Sequence, residues 1–242
     1  MIRCRPIFMA FVAMAGLTDS PVFGAGLEAQ SGIGPSAPRL AVETVAYQGR
    51  SALRVRDRPL PGECCLVSVP GGSFHDGVIE GWVAGRPTEG ASATARGFVG
   101  IAFRVAADRG RYEAFYIRPT NGRADDQLRR NHATQYISEP AYPWERLRKE
   151  TPGQYESYTD LETGAWTHLR IEVAGNHARL FVNHSPQPVL IVNDLKLGAD
   201  AVGGVALWVG DETDGYFGDV QVTKPAGDSV ANFRRAAPRR PI

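Results

Sequence analysis

Cysteine is scarce in this sequence, with only Cys4, Cys64 and Cys65 among 242 residues. None of them lies in a Cys-x-x-Cys or mixed Cys/His spacing of the kind that binds zinc. Cys64 and Cys65 are adjacent, and neighbouring residues on a strand point to opposite faces, so they rarely form an unstrained disulfide with each other. The cysteines therefore indicate neither a disulfide framework nor a zinc site.

Neither positive nor negative charge is in clear excess, because the formal net charge at pH 7 is only +1. This balance argues against nucleic-acid affinity spread over the whole surface, and we expect no nucleic-acid partner. Phosphate-loop, nucleophile-elbow and His-Glu-x-x-His motifs are also absent from the sequence. Function has to be inferred from the fold and from surface side chains.

An apolar run near the N-terminus, residues 6–17, is shorter than the about 20 apolar residues that span a bilayer. It follows Arg3 and Arg5 and precedes the polar stretch 18–21. This is the order of regions in a secretory signal peptide. We therefore predict a signal peptide over residues 1–24, a secreted or periplasmic location and no membrane span.

Glycine and proline, in contrast, are abundant, with 27 and 17 residues, and they suggest many turns. Residues 25–38 are rich in Gly, Ser and Pro and are predicted to form a flexible linker. From residue 225 the composition shifts to Ala, Asp, Pro and Arg, which predicts a disordered basic tail over 225–242. One domain is expected between them, over residues 39–224.

Short segments in which every second residue is apolar recur between turn signals along this domain. Residues 97–105, 112–118 and 166–173 show the pattern clearly. Such alternation predicts antiparallel strands with one face on a core, and therefore an all-β sandwich or barrel. The residues expected to face the core are Val99, Ile101, Phe103, Phe115, Ile117, Leu169 and Ile171.

Residues 121–162 do not alternate in this way. A long stretch without such a pattern in a compact β domain is usually either functional or disordered. Its many aromatic residues argue against disorder. We predict an ordered insertion with short strands at 134–138 and 154–158, packed over one end or face of the sheet.

Several predicted strands carry a resemblance to a known family, namely residues 97–103, 112–116, 166–173, 178–183, 204–209 and 216–220. Together they resemble the concanavalin A-like lectin and glucanase superfamily over about residues 40–223. Within it they are most similar to the laminin G-like and 3-keto-disaccharide hydrolase-like domains of exported bacterial proteins. The resemblance implies an antiparallel jelly-roll β-sandwich. This fold hosts lectins, glycosidases and adhesion modules alike, so it does not choose among these functions.

The sequence departs from this superfamily where its glucanases carry acids. Those enzymes place two carboxylates on one strand, on either side of the scissile bond. Here the nearest segment, 78–82, has Glu80 as its single acid, and no dense Asp/Asn loop of the lectin metal-binding type is recognisable. An ordinary two-carboxylate glucanase is therefore not expected. No cofactor is predicted, and a divalent metal stays open, with no ligands assigned.

If the apolar set faces the core, a polar and aromatic set occupies the opposite face of the sheet. Sugars bind to such surfaces because aromatic rings stack on their C–H faces, while Arg and Glu bond to their hydroxyls. The alternative is a solvated face with structural cross-strand pairs. The predicted ligand-binding residues of this face are Glu80, Trp82, Arg104, Tyr112, Tyr116, Arg118, Arg170 and Trp208.

The insertion supplies a second set of candidates. His132 is the candidate for proton transfer, because the pKa of an unperturbed histidine lies near physiological pH. Its candidate partners are Asp125, Asp126 and Glu156. Trp144 belongs either to an aromatic lid over the face or to a satellite core, and a surface network of salt bridges is the alternative for the whole set. The remaining candidate ligand contacts are Asn121, Arg123, Arg129, Gln135 and Tyr136.

Three functions fit these observations, and the sequence does not decide whether the domain is an enzyme. The first is recognition of a glycan by a concave aromatic and polar face. The second is a hydrolase or lyase acting on a 3-keto-glycoside or other modified sugar, because the keto group acidifies the neighbouring C2 proton. The third is a laminin G-like protein-binding module. The expected partner is therefore a carbohydrate ligand, with a protein partner as the alternative.

Overall fold

The computed structural model describes residues 3–4, 40–57 and 63–225. The predicted signal peptide (1–24), linker (25–38) and basic tail (225–242) lie outside these residues, apart from residues 3–4 and 225. In the described part of the chain, no helix combines the length and the apolar character needed to cross a membrane.

Strands dominate the described residues, as the alternation predicted. They are β1 (Arg3–Cys4), β2 (Leu40–Tyr47), β3 (Arg50–Asp57), β4 (Glu63–Phe74), β5 (Gly77–Pro87), β6 (Val99–Val105), β7 (Tyr112–Ile117), β8 (Thr134–Glu139), β9 (Glu156–Ser157), β10 (Thr167–Ala174), β11 (His177–Val182), β12 (Leu190–Val192), β13 (Gly203–Val209) and β14 (Thr213–Thr223). The helical elements are a 3-10 turn (Pro119–Asn121), α1 (Gln127–Asn131) and α2 (Trp144–Glu150).

The strands form two sheets that pack face to face. The first sheet has the order β1-β4-β13-β6-β7-β8-β9, and the second has the order β12-β11-β10-β5-β14-β3-β2. Neighbouring strands are antiparallel, except that β1 is parallel to β4. Because β4 pairs with β13 and β5 with β14, early and late parts of the chain meet in both sheets. The predicted antiparallel β-sandwich is confirmed.

The core lies between the two sheets. All the residues that the alternation assigned to it are fully buried. A Cβ added to Gly215 on the second sheet would lie 3.1 Å from the side chain of Val99 on the first, so the sheets approach closely there. Fully burying one aliphatic or aromatic side chain stabilises the fold by about 1.5–3 kcal/mol, which makes this interface the main source of stability.

The insertion 121–162 is ordered, as predicted. Its strands β8 and β9 match the predicted segments 134–138 and 154–158, and they extend the first sheet beyond β7. The helices α1 and α2 were not predicted. They have five and seven residues, which is too short for a helical hydrophobic period to stand out.

Candidate functional site

The predicted polar and aromatic face is not one surface, because its members belong to two sheets. Tyr116 and Trp208 lie on the outer face of the first sheet, on β7 and β13. Trp82 and Arg170 lie on the outer face of the second sheet, on β5 and β10. Alternation distinguishes inward from outward residues, but it does not say which sheet a strand joins. The two groups are on opposite sides of the sandwich.

The group on the second sheet is engaged in cross-strand contacts. Arg170 Nε lies 3.1 Å from Glu80 Oε1, between β10 and β5. Trp82 is half-buried, and the guanidinium carbon of Arg50 lies 4.0 Å from its ring centroid. These contacts match the alternative of structural pairs on a solvated face.

The group on the first sheet forms an aromatic stack across three strands. Trp208 pairs with Gly100 on β6, and Gly100 pairs with Tyr116. Since Gly100 has no side chain, the two rings meet above it, with centroids 4.4 Å apart and planes 16° from parallel. Tyr112 joins them, because its hydroxyl accepts a 3.4 Å hydrogen bond from Trp208 Nε1. All three aromatic side chains are fully buried, so they form a support beneath the surface and not the exposed contacts that we predicted.

Arg104 leaves the outer face altogether, which corrects its predicted position. Two residues of β6, Phe103 and Arg104, lie opposite the single residue Val205 of β13, so this is a β-bulge. Arg104 adopts a positive φ of 52° there, and its side chain is fully buried. Its guanidinium lies 3.3 Å from Glu113 Oε2 and 3.5 Å from Asp76 Oδ1. Arg104 is therefore part of a buried ionic network at one end of the core.

A pocket of about 400 Å³ opens beside the aromatic stack, between the insertion and the loops that precede β6 and β14. This volume is typical of small-molecule sites, which have about 300–1,000 Å³. The predicted residues that line it are Arg118, Asn121, Arg129, His132 and Trp144. Lining residues that the sequence analysis missed include Arg96, Phe98, Glu145, Arg148, Asp211 and Glu212.

The 3-10 turn carries the chain from the end of β7 along the pocket. The guanidinium of Arg118 and the side-chain amide of Asn121 both donate to the carbonyl oxygen of His132, at 3.0 and 3.2 Å. These bonds hold the two ends of the 118–132 excursion together. A Cβ on Gly122 would lie 2.4 Å from the backbone nitrogen of Leu161, so only glycine permits this close approach.

Arg118 connects the pocket with the aromatic support and is only 5% exposed to solvent. Its guanidinium carbon lies 4.9 Å from the ring centroid of Tyr116 and 5.9 Å from that of Trp144. Burial lowers the pKa of Arg118 and raises the pKa of Tyr116 to about 12. Arg118 is therefore a buried cation that lines the pocket and contacts the neutral phenol of Tyr116 beneath it.

Helix α2 supplies an aromatic wall of the pocket. Trp144 and Arg148 are four residues apart and lie on the same side of the helix. The guanidinium carbon of Arg148 is 4.6 Å from the Trp144 ring centroid. Trp144 is half-buried, packs against the main core and lines the pocket. The i, i+4 spacing was visible in the sequence, but it became informative only once the helix was known.

His132 meets one of its three predicted partners. Its Nε2 lies 3.1 Å from Glu156 Oε1, and Glu156 is held in turn by Arg148, whose Nη2 donates to Oε2 at 2.6 Å. Burial lowers the pKa of His132, against the attraction of Glu156. Asp126 instead caps α1 by accepting from a backbone N–H, and Asp125 is exposed. The insertion thus forms one His–carboxylate–Arg chain at the pocket.

The remaining predicted residues do not line the pocket. Arg123 is exposed and pairs with Asp160 and Glu162, both at 2.9 Å, which is the surface salt-bridge network given as the alternative. Gln135 and Tyr136 are buried, and the Tyr136 hydroxyl donates a 2.6 Å hydrogen bond to a buried glutamate in the core. Within residues 40–57 and 63–225, no group of three or more His, Cys, Asp or Glu side chains could hold a metal ion.

Comparisons with known proteins agree with this architecture. The carbohydrate-binding module CBM66 from Bacillus subtilis aligns with a TM-score of 0.51 and 12% identity, over 77% of this chain and 96% of its own. A protein of unknown function with a galectin-like fold, also from Bacillus subtilis, aligns with a TM-score of 0.48 and 10% identity, over 76% and 87%. No protein-family model matches the chain, and no curated protein matches its sequence. The chain therefore has an antiparallel β-sandwich fold that is similar to the fold of this carbohydrate-binding module.

Proposed function

We propose that the chain is a glycan-binding domain and that the pocket is its binding site. The observation that carries this proposal is the presence of Trp144 and Phe98 beside Arg118, Asn121 and Arg129 around one cavity. Aromatic rings stack on the C–H faces of sugars, while amide and guanidinium groups bond to their hydroxyls. The fold shared with a carbohydrate-binding module supports the proposal by analogy. We also propose export to a secreted or periplasmic location, on the signal-like order of regions in residues 1–24.

Calorimetric titration of the chain with soluble oligosaccharides of glucose, galactose, mannose, fructose, xylose and galacturonate tests glycan binding. We expect saturable heat with at least one of them, and a loss of about ten-fold or more in affinity in a Trp144→Ala variant. Trp82→Ala is the matched control, because Trp82 is also half-buried but lies on the outer face of the other sheet. Thermal unfolding of both variants verifies that they fold.

Two results would contradict the proposal. Silence with all six sugars would remove glycan binding as the function. Loss of affinity in Trp82→Ala, with Trp144→Ala unaffected, would move the site to the outer face of the second sheet.

A second candidate function is a hydrolase or lyase acting on a 3-keto-glycoside or other modified sugar. The His132–Glu156 pair favours it, because a carboxylate that orients an imidazole beside a cavity is the usual arrangement of a general base. The lowered pKa of His132 keeps the imidazole neutral, and thus able to take a proton, at neutral pH.

Incubation with a 3-keto-glycoside, followed by product analysis, tests this candidate. Turnover should occur in the native chain and be abolished in His132→Ala, while Asp125→Asn, which changes an exposed carboxylate, should leave it unchanged. Binding without any product would retain the glycan-binding function and exclude this activity for the sugars tested.

A further inference from the structure

Three arginines line the pocket without a carboxylate partner among the described residues. Arg118 donates to a backbone carbonyl, a tyrosine hydroxyl and an amide oxygen at 2.9–3.1 Å. Arg129 donates to an amide oxygen at 3.4 Å and to a backbone carbonyl at 3.3 Å. Arg96 donates to two backbone carbonyls at 2.6 and 2.9 Å. Every one of these acceptors is neutral.

The positive charges of these arginines disfavour one another. Burial lowers the pKa of Arg96, and the charges of Arg129 and Arg118 lower it further. Burial also lowers the pKa of Arg118 and outweighs the nearby charges of Glu156 and Glu145, which raise it. Cations removed from water without a full counter-charge destabilise a structure. An anion bound among them would relieve that penalty.

Two further acids at or beside the pocket, Glu156 and Glu212, bind groups other than these three arginines. Glu156 is bound by Arg148 through both of its oxygens and lies 3.1 Å from His132. Glu212 accepts hydrogen bonds from the backbone N–H and the hydroxyl of Ser92. Neither of these two carboxylates forms an ion pair with the three arginines.

We propose that the glycan bound by this pocket carries an anionic group, a carboxylate or a sulfate, and that Arg96, Arg118 and Arg129 recognise it. This inference rests on the proposed glycan-binding function and names the ligand class. Guanidinium groups match pairs of anionic oxygens with two parallel hydrogen bonds. Phe98 and Trp144 border the same cavity and offer an apolar surface to the sugar ring, which a bare inorganic anion would not use.

Titration of the 242-residue chain with two matched pairs of oligosaccharides tests the proposal. The first pair is trigalacturonate and its methyl ester, and the second is a sulfated galactose oligosaccharide before and after desulfation. The charged member of one pair should bind about ten-fold more tightly than the neutral one, because charge-assisted hydrogen bonds are the stronger ones. The preference should decrease as salt is raised. The pair that shows it distinguishes carboxylate from sulfate.

The variants Arg129→Gln and Arg96→Gln locate the recognition site. Each should reduce the preference for the charged member to less than about three-fold, while binding of the neutral member persists. Arg123→Gln is the matched control, because Arg123 belongs to the same insertion but pairs with Asp160 and Glu162 outside the pocket. The control should keep the full preference, and an equal loss in all three variants would overturn the assignment to the pocket.

The remaining outcomes separate this inference from the proposed function. Equal affinity for charged and neutral members, lost in Trp144→Ala, would overturn the anionic preference and leave glycan binding intact. Absence of binding by every oligosaccharide would overturn glycan binding itself. Inorganic sulfate that binds alone as tightly as the sulfated sugar would overturn the proposal, because the site would then recognise an anion without a sugar.

Discussion

The outer faces of the two sheets contain similar residue types, arginines beside aromatic rings, but differ in how these are paired. On the second sheet, Tyr47 and Tyr216 stack with centroids 3.7 Å apart. The carboxylate of Asp214 beside them accepts hydrogen bonds from Arg54, Arg86 and the Tyr216 hydroxyl at 2.7–3.0 Å. On the first sheet, the rings are buried, and three arginines of the adjoining pocket, Arg96, Arg118 and Arg129, donate only to neutral oxygens.

This difference separates a structural surface from a candidate binding surface. Burial alone would raise the pKa of Asp214, but hydrogen bonds from Arg54, Tyr216 and Arg86 hold it below its ordinary value. Each cation of that cluster therefore already has its anion. The pocket differs, because burial lowers the pKa of two of its arginines, Arg96 and Arg118. Residue composition does not distinguish the two faces, whereas charge pairing does.

The largest expected effect on stability comes from adding a side chain at Gly100. The aromatic stack of the first sheet depends on the absence of a side chain there. A Cβ there would lie 2.2 Å from the carbonyl oxygen of Phe115 and 2.6 Å from Tyr116 Cα. We expect Gly100→Ala to lower the free energy of unfolding by about 3 kcal/mol, as for other overpacked cores. Chemical denaturation measures the change.

Gly204→Ala is the control, because a Cβ at Gly204 meets its nearest heavy atom at 3.8 Å. Gly204 lies on β13, which pairs directly with the strand of Gly100. This variant should stay within about 1 kcal/mol of the native chain. Equal destabilisation by both substitutions would show that the stack does not depend on the missing side chain.

An intermediate effect concerns Glu139 on β8, a buried acid of the first sheet. Burial raises its pKa to about 7, and the charge of Glu145 acts in the same direction. The folded state therefore binds this proton more tightly than the unfolded state, in which a pKa near the ordinary value of 4.5 applies. Between about pH 4.5 and 7 the free energy of unfolding should fall as pH rises.

The variant Glu139→Gln should remove this dependence and stabilise the chain at pH 7.5 by up to about 3 kcal/mol, with little change at pH 4. Denaturation curves across that range measure it. Glu89→Gln, which alters an exposed acid, serves as the control. An identical pH slope in the two variants would contradict the prediction.

The smallest effect is expected on the open second sheet, where His168 stacks on His184 with ring centroids 4.1 Å apart. Burial lowers the pKa of His168, and the neighbouring charge of His184 lowers it further; Glu80 opposes this, while Arg170 and Arg50 add to it. Because the pKa of His168 is lower in the folded chain than its ordinary value of 6.5, its contribution to stability is fully present above pH 6.5. This contribution is lost as the pH falls through the lowered pKa.

An NMR titration of the His168 imidazole should therefore have its midpoint below pH 6.5. In a His184→Gln variant the midpoint should rise toward that value, because the like charge is removed. An unchanged midpoint would show that the stacked pair is not electrostatically coupled. The effect on stability should be slight, since the pair is partly solvated.

The sequence predicted the strands correctly, but it did not predict which strands belong to the same sheet. Val99, Phe115 and Leu169 were placed in the core because alternation with a period of two is a local property. Glu80 and Trp82 were grouped with Tyr116 in error, because the side of the sandwich depends on which sheet each strand joins. Proposed export and the location of the chain stay predictions.

The candidate site was predicted in part. Arg118, Asn121 and His132 were singled out because polar and aromatic residues cluster in the insertion. Arg96 and Phe98 were not, because Arg96 lies in a loop with no pattern of its own and Phe98 belongs to a segment that was assigned to a strand. Both reach the pocket only through the pairing of β6 with β7. No local signal connects these two parts of the chain.

The sequence by itself determined an all-β domain, its inward-facing residues and an ordered, chemically rich insertion, because periodicity and composition act over a few residues at a time. Tertiary contacts were needed to show that Arg104 turns into the core at a bulge, that the Trp208 and Tyr116 rings meet above a glycine, and that Arg96 and Arg129 reach the same pocket as Arg118. Each of these outcomes depends on contacts between strands or loops far apart in the chain, which become defined only when the sheets are assembled.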